Sequence, residues 1–190
     1  MQKRHTDRES YFDEQSQTSK NYYIPYIKEV IGHIPDKVLE VGCGEGGNLL
    51  PFAKAGCRVM GVDIDAMRIE QARTFFTQRH QQGQFIATDI FQLEDKATNF
   101  PLILLHDVIE HIRDKERFLS GLQKHLSADG AVFVGFPAWQ MPFGGHQQIA
   151  HSHIVSHFPF LHLLPRTLYR WILRPVSYTH LRAHETGAYL

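Results

Sequence analysis

The sequence lacks the features that would take it out of a reducing compartment or into a bilayer. Cys43 and Cys57 are its only cysteines in 190 residues, too few for a disulfide framework. No run of about eighteen consecutive apolar residues occurs, so no stretch is built to span a membrane as a helix. Neither charge is in excess: 20 basic residues stand against 20 acidic ones, which argues against nucleic acid or an anionic membrane as the main partner. The opening Met1-Gln2-Lys3-Arg4-His5 is polar and lacks the apolar core of a secretory leader. We therefore expect a soluble, cytoplasmic protein with no integral membrane association, and the length suits one domain with a sizeable core.

Glycine is concentrated in one place. In Lys37-Val-Leu-Glu-Val-Gly-Cys-Gly-Glu-Gly-Gly-Asn48, an apolar run from Val38 to Val41 breaks into Gly42, Gly44, Gly46 and Gly47 before a helical pattern resumes. That order predicts strand, tight turn and helix. Glycine tolerates positive φ and, without a Cβ, lets a ligand lie against the backbone. The following helix then points its first N–H groups at that ligand. Cys43, between two glycines, reads as a small residue fitted to the loop rather than as a reactive thiol.

Around this loop, strands and helices alternate. Residues 1–35 hold the pair Tyr11-Phe12 and a helical segment rich in tyrosine and isoleucine. It serves as a lid over the cofactor or covers a sheet edge. A helix over Asn48–Ala55, with Pro51 in its first turn, is closed by Gly56. Arg58–Asp63 is a second strand, and Asp65 caps a helix that buries Ile69, Ala72 and Phe76 and breaks at Gly83. Phe85–Ile90 forms a third strand closed by Asp89, and Leu102–Leu105 a fourth ending at His106-Asp107. Asp114 caps a helix with Phe118, Leu119, Leu122 and Leu126 on one face, Ser127–Gly130 is a turn, and Ala131–Phe136 is strand five. This is the pattern of an α/β protein, a Rossmann-like, doubly wound, mainly parallel sheet with helices on both faces. Ligands of such sheets sit beyond the carboxyl ends of the strands, where Gly42, Asp63, Asp89 and His106-Asp107 gather.

The glycines alone leave the cofactor open. Gly42, Gly44 and Gly47, with Asp63 about twenty residues on, satisfy a dinucleotide fingerprint, so a nicotinamide or flavin reading stands. Glu40, two residues before the loop, would serve a pyrophosphate badly and a cationic ligand well. Asp89-Ile90 suits an exocyclic amine and a purine face, and His106-Asp-Val-Ile-Glu-His111 crowds polar groups beside the loop. Together these favour a cationic nucleoside.

Four stretches in order, Val-Leu-Glu-Val-Gly-Cys-Gly-Glu-Gly, Gly-Val-Asp63-Ile64-Asp65, Thr88-Asp89-Ile90 and Asp-Val-Ile-Glu-His-Ile, resemble the motifs of class I S-adenosylmethionine-dependent methyltransferases. The likeness runs from about Tyr11 to about Phe136. It implies S-adenosylmethionine as cofactor, with Glu40, Gly42, Cys43, Gly44 and Gly46 around the aminocarboxypropyl part. It also implies Asp63 on the ribose hydroxyls, Ile64 and Ile90 flanking the adenine, and Asp89 accepting from its amino group; His106 is a further cofactor-binding candidate. The expected organisation is a helical lid over 1–35, a cofactor domain over 36–137 and an acceptor-side cap over 138–175. The reaction implied is in-line methyl transfer to a small-molecule acceptor at oxygen, nitrogen or carbon. A nicotinamide-dependent oxidoreductase and a non-catalytic binding module are the alternatives.

Trp139, Phe143 and His146 are candidates for the acceptor side, and His106, His111 and His146 for a general base. Asp107, Glu110 and His111 resemble a Glu-x-x-Glu-His metal motif of some relatives, but no metal ligand is assigned. His151, His153, His157 and His162 match no standard metal spacing and read as polar members of an amphipathic cap. Val176–Thr186 reads as a translated sequencing-library adapter. We expect 176–190 to be a non-native tail, with the natural chain cut near Pro175, the family's last strands missing and strand five left as an exposed edge.

Overall fold

A computed structural model describes residues 7–93, 97–138, 140–142 and 158–173. Five strands form one parallel sheet: β1 Lys37–Val41, β2 Arg58–Asp63, β3 Gln84–Ala87, β4 Phe100–His106 and β5 Leu126–Gly135. Their order is β3-β2-β1-β4-β5. The chain moves outward from β1 to β3, then crosses back to lay β4 on the other side of β1. That reversal opens a crevice at the carboxyl ends of β1 and β4.

Side chains alternate across each strand and so sort the core into two layers. Val38, Val59, Leu102 and Leu104 face α1 (Arg8–Thr18), α2 (Ile24–Ile31), α3 (Leu50–Lys54) and α4 (Ala66–Gln78) through Phe12, Ile27, Phe52, Ile69 and Phe76. Leu39, Val41, Val62, Ile103 and Leu105 face Phe118 and Leu122 of α5 (Lys115–Gln123). Glu40 is on the first face, under the N-terminal helices. Asp7, Asp65 and Asp114 each cap a helix by accepting a backbone N–H. Between α1 and α2 the chain does not break but passes through a π turn, Ser19–Tyr23, and Gly32 closes the rod at φ 89°. Phe12 is wholly buried and its ring packs on Phe75 at 5.0 Å, so α1 is part of the core.

The sheet departs from the sequence pattern at four places. Helix α4 stops at Gln78, five residues before Gly83, with His80 in the left-handed region at φ 53°. Gly83 instead leaves room for Phe85, whose Cε2 would lie 2.8 Å from an added Cβ. Strand β3 ends at Ala87, and Asp89 caps a 3-10 turn over Ile90–Gln92 rather than closing the strand. Leu126 opens β5 instead of extending the apolar face of α5, where Leu119 is 43 % exposed. Ser127–Gly130 is not a free turn. It lies within β5 as an irregularity, because Phe100 pairs with Leu126 but Leu102 with Ala131, so five steps of one strand match two of the other.

These elements form one compact unit, Asp7–Phe136, in which β5 is an edge strand. The residues from Pro137 onward fall in a second unit. There, a 3-10 turn (Leu161–Leu163) and α6 (Arg166–Leu173) gather Leu161, Leu164, Tyr169 and Ile172, and His162 is buried. Trp139, Phe143, His146, His151, His153, His157 and the segment 176–190 lie outside the described residues. Among the described residues no helix is long and apolar enough to cross a membrane.

Candidate active site

The loop after β1 is folded on itself. Gly42, Gly44 and Gly46 all take positive φ, at 71°, 52° and 79°. A side chain at Gly42 would collide with Val108, at Gly44 with the Arg68 guanidinium, and at Gly46 with the Phe85 ring at 2.8 Å. These glycines make room for neighbouring protein atoms, a use that the motif alone did not signal. Gly47 serves the same end, since α1 presses Phe12 O to within 2.6 Å of where its Cβ would stand.

The loop amides are also engaged internally. Gly42 N and Cys43 N both donate to Val62 O, at 2.8 and 3.1 Å, and Gly46 N donates to Cys43 O at 2.8 Å. Gly44 N donates to Asp63 Oδ2 at 2.8 Å, while Asp63 Oδ1 accepts from Asp65 N at 2.9 Å. Asp63 therefore ties the end of β2 to the loop and to the start of α4. A loop that grips pyrophosphate aims such amides outward.

Arg68, one turn into α4, clamps Glu45 through two hydrogen bonds, Nε–Oε1 at 3.1 Å and Nη2–Oε2 at 2.8 Å. Arg8 from α1 adds a contact of 3.2 Å to the same wholly buried carboxylate. Burial works against the Arg68 charge, but hydrogen bonding and attraction from Glu45 more than offset it and hold the guanidinium above its ordinary value. The motif reading missed this clamp, because an acid between two glycines carries no pattern that names its partners.

Glu40 is only 1 % exposed. Its Oε1 accepts from Asn48 Nδ2 at 2.8 Å, and Asn48 O accepts from Ser19 Oγ at 2.8 Å. Glu40 Oε2, Asn48 Oδ1 and Gln15 Oε1 are buried acceptors without a hydrogen-bond partner among the described residues. Burial pushes the Glu40 carboxyl up to about 8, the Asn48 hydrogen bond opposes this, Asp63 adds to it and Arg68 counters. Cys43 is buried behind the loop, and burial lifts its thiol well above the ordinary range, as suits a small packing residue.

At the other strand ends, Ile64 is 63 % exposed, whereas Ile90 is 6 % exposed and packed in the opposite core layer. Only Ile64 of that pair offers apolar surface to solvent. Asp89 Oδ1 accepts from Phe91 N at 2.9 Å, which leaves Oδ2 without a partner among the described residues. His106 is half-buried, its ring 5.6 Å from that of Tyr23 and its Nδ1 3.8 Å from Asp107 Oδ2. Asp107 has φ 54° and donates its N–H to Gly135 O at 2.9 Å. His111 is exposed on the next 3-10 turn, its Nε2 4.0 Å from Glu110 Oε1. Among the described residues no three His, Cys, Asp or Glu side chains come together as a metal site, so Asp107, Glu110 and His111 do not converge. The structure thus gathers Glu40, Gly42, Cys43, Gly44, Gly46, Asp63, Ile64, Asp89, Ile90 and His106 at one end of the sheet.

Residues 39–132, which carry the loop, β2, β3, β4 and most of β5, match a family described as a methyltransferase domain. This stretch is similar to the methyltransferase domain family. The chain is 33 % identical over 118 residues to a ubiquinone biosynthesis O-methyltransferase of Bartonella quintana (strain Toulouse), covering 60 % of this chain and 48 % of that protein. A protein of the same name from Brucella ovis is 32 % identical over 98 residues, 52 % of this chain and 40 % of its own length. The chain thus spans about half the length, or less, of these relatives. Two solved structures share the fold. One is an S-adenosylmethionine-dependent methyltransferase from Clostridium acetobutylicum, with TM-score 0.56 and 19 % identity over 63 % of this chain and 49 % of that one. The other is the plantazolicin methyltransferase BpumL in complex with SAH, with TM-score 0.55 and 22 % identity over 66 % of this chain and 50 % of that one.

Proposed function

We propose that the methyltransferase domain binds S-adenosylmethionine across the carboxyl ends of β1, β2 and β4 and transfers its methyl group to an oxygen of a small-molecule acceptor. The carrying observation is the group of buried acceptors beneath the loop, Glu40 Oε2, Asn48 Oδ1 and Gln15 Oε1, none with a hydrogen-bond partner among the described residues. Buried acceptors call for donors. An ammonium group brings three of them and a charge to match Glu40, whereas a pyrophosphate brings only more acceptors. The inward-turned loop amides weigh the same way against a dinucleotide.

When bound, S-adenosylmethionine supplies a methyl group already activated on a positively charged sulfur. Glu40 and Asn48 would hold its ammonium end. Each Asp63 oxygen accepts one backbone amide and keeps a lone pair for a ribose hydroxyl. Ile64 offers its exposed side chain to the adenine, and Asp89 Oδ2 an acceptor for the exocyclic amine. Holding an acceptor in line supplies most of the rate, and a base is needed only where that acceptor must lose a proton. His106, at the end of β4 with its Nδ1 3.8 Å from Asp107 Oδ2, would serve as that base. The Bartonella and Brucella relatives, named as ubiquinone biosynthesis O-methyltransferases, support oxygen as the atom methylated.

Titration calorimetry with S-adenosylhomocysteine and with NAD tests the cofactor, and labelled methyl transfer across a panel of phenols, amines and carbon acids tests the acceptor. Binding of NAD with no response to the nucleoside would overturn the reading. Binding without transfer to any acceptor in the panel would favour a non-catalytic module.

A further inference from the structure

Among the described residues, the strand ends are rich in acids and poor in uncommitted donors. Glu40, Asp63, Asp89 and Asp107 stand along them, four loop amides are satisfied within the protein, and Arg68 is committed to Glu45. If the cofactor is S-adenosylmethionine, its amino-acid end brings a carboxylate as well as an ammonium, and that carboxylate needs a donor.

Tyr23 is the last residue of the π turn, a form that recurs at functional sites. The first residue of that turn is fixed: Ser19 Oγ donates to Asn48 O, and Asn48 Nδ2 to Glu40 Oε1. The turn is thereby tied to the acid of β1. The Tyr23 ring packs on Phe133 at 4.8 Å and on His106 at 5.6 Å, which sets it over β4 and β5. Its hydroxyl has no hydrogen-bond partner among the described residues, yet it lies in the field of Asp107 and Glu40, on opposite sides of the strand reversal. Burial first, then Asp107 and Glu40, push the phenol up to about 12. It therefore stays protonated and serves as a donor, not a base.

We infer that the Tyr23 hydroxyl donates to the carboxylate of the cofactor's amino-acid end, opposite the ammonium held by Glu40. The assignment rests on the S-adenosylmethionine reading. Tyr23→Phe keeps the ring contacts and removes only the donor. Calorimetry of wild type and variant should use S-adenosylhomocysteine and 5′-methylthioadenosine, which shares the nucleoside and lacks the amino-acid end. A hydrogen bond to a charged group makes the expected loss for S-adenosylhomocysteine roughly tenfold to a hundredfold, with 5′-methylthioadenosine changed by less than about twofold. A merely structural role would weaken both probes alike, and that result overturns the assignment. Unchanged S-adenosylhomocysteine binding overturns it too, while leaving the cofactor reading intact. Wild-type protein that binds neither probe removes the cofactor reading and this assignment with it.

Discussion

Glu40→Gln separates the ionisation of the buried acid from its packing. The folded environment raises the Glu40 carboxyl from its ordinary 4.5 to about 8, first through burial. Between those values the folded chain holds a proton that the unfolded chain has released, so stability falls as pH rises. Its contribution is fully present below about pH 4.5 and is lost as pH climbs through about 8. At about 1.4 kcal/mol per unit, the loss between about pH 6 and about pH 9 comes to about 3 kcal/mol. Glutamine is nearly isosteric, can still accept from Asn48 and has no proton to lose. Urea unfolding of both proteins at several pH values should show this slope in wild type and not in the variant. The variant should also be the more stable of the two near pH 9. A wild-type-minus-variant difference that holds constant within about 0.5 kcal/mol from pH 6 to pH 9 would refute the reasoning. Where Glu40 receives an ammonium it must ionise, so S-adenosylhomocysteine binding near neutral pH should release up to about one proton, read from calorimetry in buffers of different ionisation enthalpy.

Asp63→Ala should abolish S-adenosylhomocysteine binding and leave two backbone donors without partners, costing about 1–3 kcal/mol in urea unfolding. Asp63→Asn keeps an acceptor and should recover part of that stability. Glu45→Gln should cost about 2–4 kcal/mol, because it uncouples Arg68 and Arg8 from a buried partner. A double-mutant cycle with Arg68→Met that gives no coupling would contradict the clamp. Gly61→Ala should destabilise by about 1–3 kcal/mol, since its Cβ would lie 2.6 Å from Cys43 Sγ and 2.8 Å from Phe85. Burial lifts the thiols of Cys43 and Cys57 above their ordinary range, so Ellman's reagent should label them in the folded protein only at the rate of unfolding. Prompt labelling of either one would show that site to be open.

The central part of the fold was legible because strand and helix periods leave clear marks. Leu102–Leu105 is buried on both faces, so its apolar run is continuous, Val38–Val41 is buried likewise and broken only by Glu40, and Asp65 and Asp114 cap the helices they precede. The errors fall where a local signal had two uses. Gly83 looked like a helix stop but yields space to Phe85. Leu126 sits at a helical interval from Leu122 yet pairs with Phe100 in the sheet. Asp89 read as the acid that closes a strand, but its bond to Phe91 N makes it the cap of a 3-10 turn.

The glycine loop shows why the site was only partly legible. A fingerprint of glycines records where side chains are excluded, not what excludes them. Here Val108, Arg68, Phe85 and the backbone of α1 fill the vacated positions, so the same spacing would arise with or without a ligand. The chemical information lies instead in atoms whose polarity has no internal answer. Glu40 already stood out in the sequence as an acid suited to a cation, whereas Asn48 read only as the start of a helix, and the unanswered acceptors Glu40 Oε2 and Asn48 Oδ1 emerge only with their burial. Tyr23 is a further case. Its place among several tyrosines and isoleucines marks a buried helix face, and nothing in that pattern signals the π turn that carries its hydroxyl to the strand reversal. Residues that bind by filling space can be read from spacing, whereas residues that bind by supplying a missing donor or acceptor emerge only once the hydrogen bonds around them are known.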